Sequence, residues 1–99
     1  MTEPRQMRLG AFITPTGHHA ASWRHAEAVP AGAHDLDYFI GLAKKAEAAK
    51  LDMFFLGDVP GGNDPTAVGP ELAAYQQGQG SFEPLTLLSA LSVTTSNLG

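Results

Sequence analysis

The stretch "DLDYFIGLAKKAEAAKLDMFFLGD", residues 35–58, decides the fold, because its hydrophobic period changes part-way. Leu36, Phe39, Ile40, Ala43 and Ala46 recur at spacings of three and four, which puts them on one face of a helix. A helix is therefore expected over 35–50, with Asp35 as N-cap and Lys44, Lys45 and Lys50 toward the negative end of its dipole. Gly41 costs that helix about 1 kcal/mol against alanine, a cost close packing would justify. At 52–57, "DMFFLG", the apolar residues stop recurring at helical spacing and run on continuously. A run without alternation is expected to be a strand buried on both faces, as in a parallel sheet.

Upstream, "LGAFI" at 9–13 lies between Arg8 and a Thr14-Pro15 turn signal and reads as another buried strand. Residues 14–34 have no clean period and carry Pro, Gly, Ser and His, so they read as a long loop. A second loop, rich in Gly, Pro, Asn and Gln, follows at 59–80. Residues 83–95, "EPLTLLSALSVTT", read as a second helix with Pro84 at its first position, where a missing N–H costs nothing. Leu85, Leu88 and Leu91, with Ala90, are expected to form its core face, and a third strand could begin at "NLG". The order strand, helix, strand, helix predicts an α/β fold with a parallel sheet and crossover helices. Two strands leave exposed edges and uncovered faces, so the 99 residues are expected to be the front of something larger.

Composition narrows the function classes. The chain is 43% hydrophobic and 16% charged, which suits one soluble globular domain at most. A net charge of −4 offers no basic excess for a phosphate backbone, so nucleic acid is not the expected partner. Without cysteine there are no disulfides, thiolate zinc sites or thiol nucleophiles. No apolar run reaches the roughly 18 residues of a membrane span, and no secretory signal is legible, so the expected location is the cytoplasm.

Chemistry-bearing residues crowd into "TPTGHHAASWRH", 14–25, which holds three of the four histidines and the only tryptophan. His18, His19 and His25 follow the first strand, and Asp58 follows the second, so both groups fall where parallel α/β folds bind ligands. Spacing alone leaves the histidines open to three readings: a solvated loop, hydrogen-bonding or proton-transfer groups, or metal ligands. "HHxxxxxH" is not a recognised ligand spacing, and adjacent residues of an extended chain point to opposite sides, so no metal is expected. Asp58 is either a ligand-facing carboxylate or a turn residue. Trp23 and Arg24 could stack on or pair with an anionic ligand, but fit better as loop anchors, and His34 reads as a helix-entry residue. Tyr75, Gln76, Gln77 and Gln79 could touch a substrate from a lid or simply be solvated. "GDVPGGND" matches neither G-x-G-x-x-G nor G-x-x-x-x-G-K-[ST], so no phosphate loop is read there.

Three segments carry a family resemblance: "LGAFITPTGHHAASWRH", "YFIGLAKKAEAAKLDMFFLGD" and "FEPLTLLSALSVTT". Together, in this order, they resemble the N-terminal quarter of flavin-dependent monooxygenases of the bacterial luciferase superfamily, from about Arg8 to Leu98. The branch they look like is the nitrilotriacetate monooxygenase type, with the dibenzothiophene-sulfone and long-chain-alkane enzymes. The resemblance implies the N-terminal βαβα portion of a (β/α)₈ TIM barrel, incomplete here, since a whole barrel takes about 250 residues. It implies reduced FMN as co-substrate, supplied by a separate NADH-dependent flavin reductase, with O₂ oxygenating a small organic substrate. It makes His18 an active-site residue and Asp58 an FMN contact, with His19 a second candidate beside His18; Trp23 and Tyr75 stay substrate or loop candidates on their side-chain chemistry alone. Full-length relatives of this kind often form homo-oligomers. On this pattern the phosphate-binding loops and further active-site residues lie beyond Gly99, so the 99 residues alone are expected to be inactive. The alternative is a small α/β binding or interaction domain without catalysis.

Overall fold

A computed structural model describes residues 3–19, 21–57 and 82–99. Strand β1, Gly10–Ile13, pairs in parallel with strand β2, Met53–Leu56, in the register Gly10 to Met53 through Ile13 to Leu56. Between them runs helix α1, Leu36–Ala48, and after β2 comes helix α2, Pro84–Ser92.

Side-chain chemistry sets the helix ends. The Asp35 carboxylate accepts from the backbone N–H of Asp37 at 3.0 Å and of Tyr38 at 3.4 Å, so Asp35 caps α1 rather than opening it. At the other end, the Leu51 N–H donates to the Ala46 carbonyl and the Lys50 N–H to that of Glu47. This is the paired closure that needs a left-handed residue, and Lys50 takes it at φ 62°. The helix therefore stops at Ala48, two residues short of the expected end, and the Lys50 turn feeds Leu51 onto the core. Glu83 caps α2, accepting from the N–H of Leu85 at 2.9 Å and of Thr86 at 2.8 Å, and also from the Thr86 hydroxyl, with Pro84 in the first turn as expected. At the C-terminus, the hydroxyls of Thr94 and Thr95 both donate to the Leu91 carbonyl and end the helix at Ser92 rather than 95.

One face of the sheet carries the core. Phe39, Ala43 and Ala46 of α1, Phe54 of β2, and Leu87 and Leu91 of α2 are buried together, with Ala11, Ile13, Leu51, Leu56, Phe82 and Leu98 packed around them. Both helices thus cover the same side of the sheet. The expected α2 face is corrected in part: Leu91 points inward as expected, but Leu87 joins it there, while Leu85 is 74% exposed and Leu88 also lies toward solvent. Leu91 fits two faces at helical spacing, one with Leu85 and Leu88 and one with Leu87, and packing against Phe39 and Phe54 selects the second.

Strand β2 also departs from expectation. Phe54 is buried, but Met53 and Phe55 are 49% and 48% exposed, and Phe12 on β1 is 52% exposed beside them. Alternation along a strand sends 10, 12, 53 and 55 to the face away from the helices, and among the described residues no element covers it. Gly99 lies along the other edge of β2. Its N–H donates to the Asp52 carbonyl at 3.0 Å and its carbonyl accepts from the Phe54 N–H at 2.8 Å, the bonding pattern of a parallel neighbour. Among the described residues, no helix is long and apolar enough to cross a membrane.

Candidate active site

The two ends of the strands differ in chemistry. At the N-terminal end, carboxylates act as clamps. Asp52 accepts from the Leu9 N–H and from Arg8, each at 3.0 Å, and locks the start of β1 to the start of β2. Glu47 accepts three backbone N–H groups, from Ser96, Asn97 and Leu98, at 2.7–3.1 Å, and holds the segment that brings Gly99 alongside β2. Both carboxyls titrate below their ordinary range. For Glu47 the main cause is the Asn97 N–H, and for Asp52 it is the Leu9 N–H, followed by Arg8. These groups are occupied in holding backbone, which is structural work.

The C-terminal end carries the histidine loop. Thr14, Pro15, Thr16 and Gly17 form a turn closed by the Gly17 N–H to the Thr14 carbonyl at 2.9 Å. Gly17 sits at φ 92°, and a Cβ there would lie 2.7 Å from the Ser22 Oγ, so both conformation and space require glycine. The turn folds residue 18 back over β1. The His18 ring meets the Phe12 ring edge-on, with centroids 4.9 Å apart and 66° between planes, and Phe12 meets Phe55 in the same manner at 5.0 Å. His18 Nε2 lies 3.3 Å from the Phe12 carbonyl oxygen and Nδ1 lies 3.4 Å from the Thr14 hydroxyl. A carbonyl only accepts, so Nε2 carries the hydrogen and Nδ1 is the basic nitrogen of the neutral ring.

The other candidates are placed differently. His19 turns its Nδ1 onto the Ala21 N–H at 3.1 Å, and His25 turns its own onto the Glu27 N–H at 3.1 Å. Each ring braces its own loop backbone, leaving Nε2 as the donor. Trp23 is half-buried and Arg24 exposed in a short 3₁₀ turn at Ser22–Arg24, an element not legible in the sequence. His34 ends another 3₁₀ segment, Pro30–His34, and packs edge-on against Phe82, which packs on Phe39. Asp58 and Tyr75, with Gln76, Gln77 and Gln79, lie outside the described residues. Among the described residues no three acidic or histidine side chains converge as a metal set. An open groove of about 360 Å³ runs beside the turn, between Thr14–Gly17, Ser22, His25, Glu27–Val29 and Tyr38.

Phe12 and Phe55 are parts of this end of the sheet that the sequence does not single out, and Thr14 is legible there only as a turn residue. The signal for the two phenylalanines is their alternation with Ala11 and Phe54, hidden inside runs that are apolar at every position.

Comparison with known proteins points to oxygenating enzymes. N-acetyl-S-(2-succino)cysteine monooxygenase of Bacillus subtilis (strain 168) is 43% identical over 98 residues, covering 99% of this chain and 20% of that protein. Nitrilotriacetate monooxygenase component A of Aminobacter aminovorans is 32% identical over 99 residues, 96% of this chain and 22% of that protein. The chain is homologous to a segment of these monooxygenases. One pristinamycin IIA synthase subunit of Streptomyces pristinaespiralis is 31% identical over 103 aligned positions, spanning 100% of this chain and 23% of that protein. The chain therefore spans about a fifth of the length of these relatives, and the resemblance to the nitrilotriacetate monooxygenase type is borne out. No protein-family model matches the chain.

Proposed function

We propose that these residues are the opening βαβα portion of a (β/α)₈ barrel in a two-component flavin-dependent monooxygenase. The observation that carries this reading is the one-sided sheet. Both helices pack on the face of Ala11, Ile13, Phe54 and Leu56, while the opposite face presents Phe12, Met53 and Phe55 half exposed and uncovered by any element among the described residues, with His18 at its C-terminal rim. A barrel wall has that construction, with helices outside and strand side chains directed to a shared interior whose ligands sit at the C-terminal rim. Sequential parallel placement of β1, β2 and Gly99 supports the same winding. The homology to named monooxygenases supports the reaction class.

Reduced FMN fits the described residues in part. The aromatic wall of Phe12 and Phe55 suits a flat ring system, whereas none of the described residues forms a cradle for its phosphate. When bound, the flavin would supply O₂ activation for oxygenating a small organic substrate. This chain's own residues would then exclude water along Phe12 and Phe55, present the His18 imidazole at the rim, and contact the cofactor through Asp58. His19, Trp23 and Tyr75 are candidates for shaping the substrate end. One relative is named as a component and another as one part of a synthase, which supports a separate flavin-supplying reductase as partner. A cytoplasmic location would follow from that supply.

The test is a chimera. This chain replaces the matched segment of the Bacillus subtilis relative, and product formation is followed with reduced FMN from a flavin reductase. In that chimera His18→Ala is expected to lower kcat about a hundredfold, the scale of a lost proton-transfer group. Asp58→Ala is expected to weaken reduced-flavin binding about tenfold, close to 1.4 kcal/mol. Unchanged kinetics in both variants would remove the site assignment.

A further inference from the structure

We infer that Thr14 is the positioning residue for His18, an inference that rests on the active-site reading of His18 above. Thr14 is the first residue after β1, half-buried, and β-branched, so its side chain has few rotamers to choose from. The turn closed between Gly17 and Thr14 returns the chain onto itself and brings His18 Nδ1 to 3.4 Å from the Thr14 hydroxyl. On the other side of the ring, the Phe12 carbonyl, 3.3 Å away, accepts from Nε2–H, and the Phe12 ring supports the imidazole edge-on. Two contacts at opposite nitrogens and one ring contact fix the imidazole in both position and tautomer. Of the three, the hydroxyl is the contact that meets the basic nitrogen. It donates to Nδ1 while the ring is neutral, and it can rotate to accept from Nδ1–H when the ring is charged. At His19 and His25 a backbone N–H occupies Nδ1 instead, which suits neither for taking up a proton there.

Two experiments test this. In the 99-residue chain, labelled with ¹⁵N and ¹³C, the His18 imidazole signals and their cross-peaks to Phe12 are recorded in wild type, Thr14→Val and Thr14→Ser, with His19 and His25 as internal references. Thr14→Val is expected to move the His18 ring signals and weaken the Phe12 cross-peaks, and Thr14→Ser to restore both. His18 signals that stay put in Thr14→Val while the references also stay put overturn the inference. In the chimera, Thr14→Val is expected to lower kcat roughly ten- to hundredfold with little change in KM for reduced FMN. It is expected to add no further loss in the His18→Ala background, as for residues that act as a unit. An equal loss in both backgrounds overturns the positioning role. A wild-type chimera without activity would instead overturn the functional reading, leaving the spectroscopic result to decide the contact on its own.

Discussion

At the residue scale, two backbone positions show how local conformation sets up the site and the fold. Gly17 carries the turn that brings His18 over Phe12, at a positive φ and with Ser22 closing off the space of a side chain. Gly17→Ala is expected to destabilise by about 1–2 kcal/mol, the cost of a left-handed residue with a Cβ, and to shift the His18 ring signals. Urea denaturation together with the imidazole spectrum checks both. Lys50 is the converse case, a lysine in the left-handed position that ends α1. Lys50→Gly is expected to stabilise by about 0.5–1 kcal/mol, since glycine takes this conformation without strain. A lower urea midpoint in Lys50→Gly would contradict the closure described for α1. The sequence shows a lysine at a helix end, which the helix dipole explains equally well, so the strained turn was not legible there.

At the scale of elements, the order strand, helix, strand, helix was readable because hydrophobic periodicity reports which face a residue serves. The ends were less readable, because they depend on which carbonyl or carboxylate finds a partner. Thr94 and Thr95 take the Leu91 carbonyl, and no periodic pattern encodes that. The inward face of α2 was half legible for a related reason: Leu91 serves either face, and only packing against Phe39 and Phe54 sets Leu87 beside it rather than Leu85 and Leu88. Caps were more legible: Asp35 and Pro84 both stand where expected, and Asp35→Ala should cost about 1 kcal/mol by urea denaturation. The clamping carboxylates predict the pH response. Glu47, Asp52 and Glu83 are all held below the ordinary carboxylate range, by the Asn97 N–H, the Leu9 N–H and the Thr86 hydroxyl respectively. A folded-state pKa below the unfolded value gives stability that is fully present above the unfolded range and is lost as pH falls through the folded one. Thermal midpoints should therefore be level from neutrality to about pH 5 and fall below about pH 4. Glu47→Gln should flatten that acid limb, and a midpoint that rises on acidification would contradict the assignment.

At the scale of the whole molecule, the sheet face left uncovered among the described residues is the feature that needs the most explanation. Phe12, Met53 and Phe55 are each about half exposed on one side of a two-stranded sheet, an unusual exposure for an apolar strand surface. The continuous apolar runs announced these residues as buried on both faces, which is their expected state inside a closed barrel rather than their state in this chain. In the isolated chain, Phe55→Ser is expected to lower the fluorescence of a bound hydrophobic dye severalfold while changing the urea midpoint by less than about 1 kcal/mol equivalent. A dye signal indifferent to Phe55 would mean that the face is not the exposed apolar surface described. The barrel-wall reading is tested most directly by the rate at which the chimera with the Bacillus subtilis relative converts N-acetyl-S-(2-succino)cysteine when supplied with reduced FMN and O₂. A rate within about tenfold of the parent enzyme is predicted, because this chain would supply an equivalent barrel wall and rim. A chimera that melts cooperatively near the parent's temperature yet neither binds reduced FMN nor forms product would contradict it.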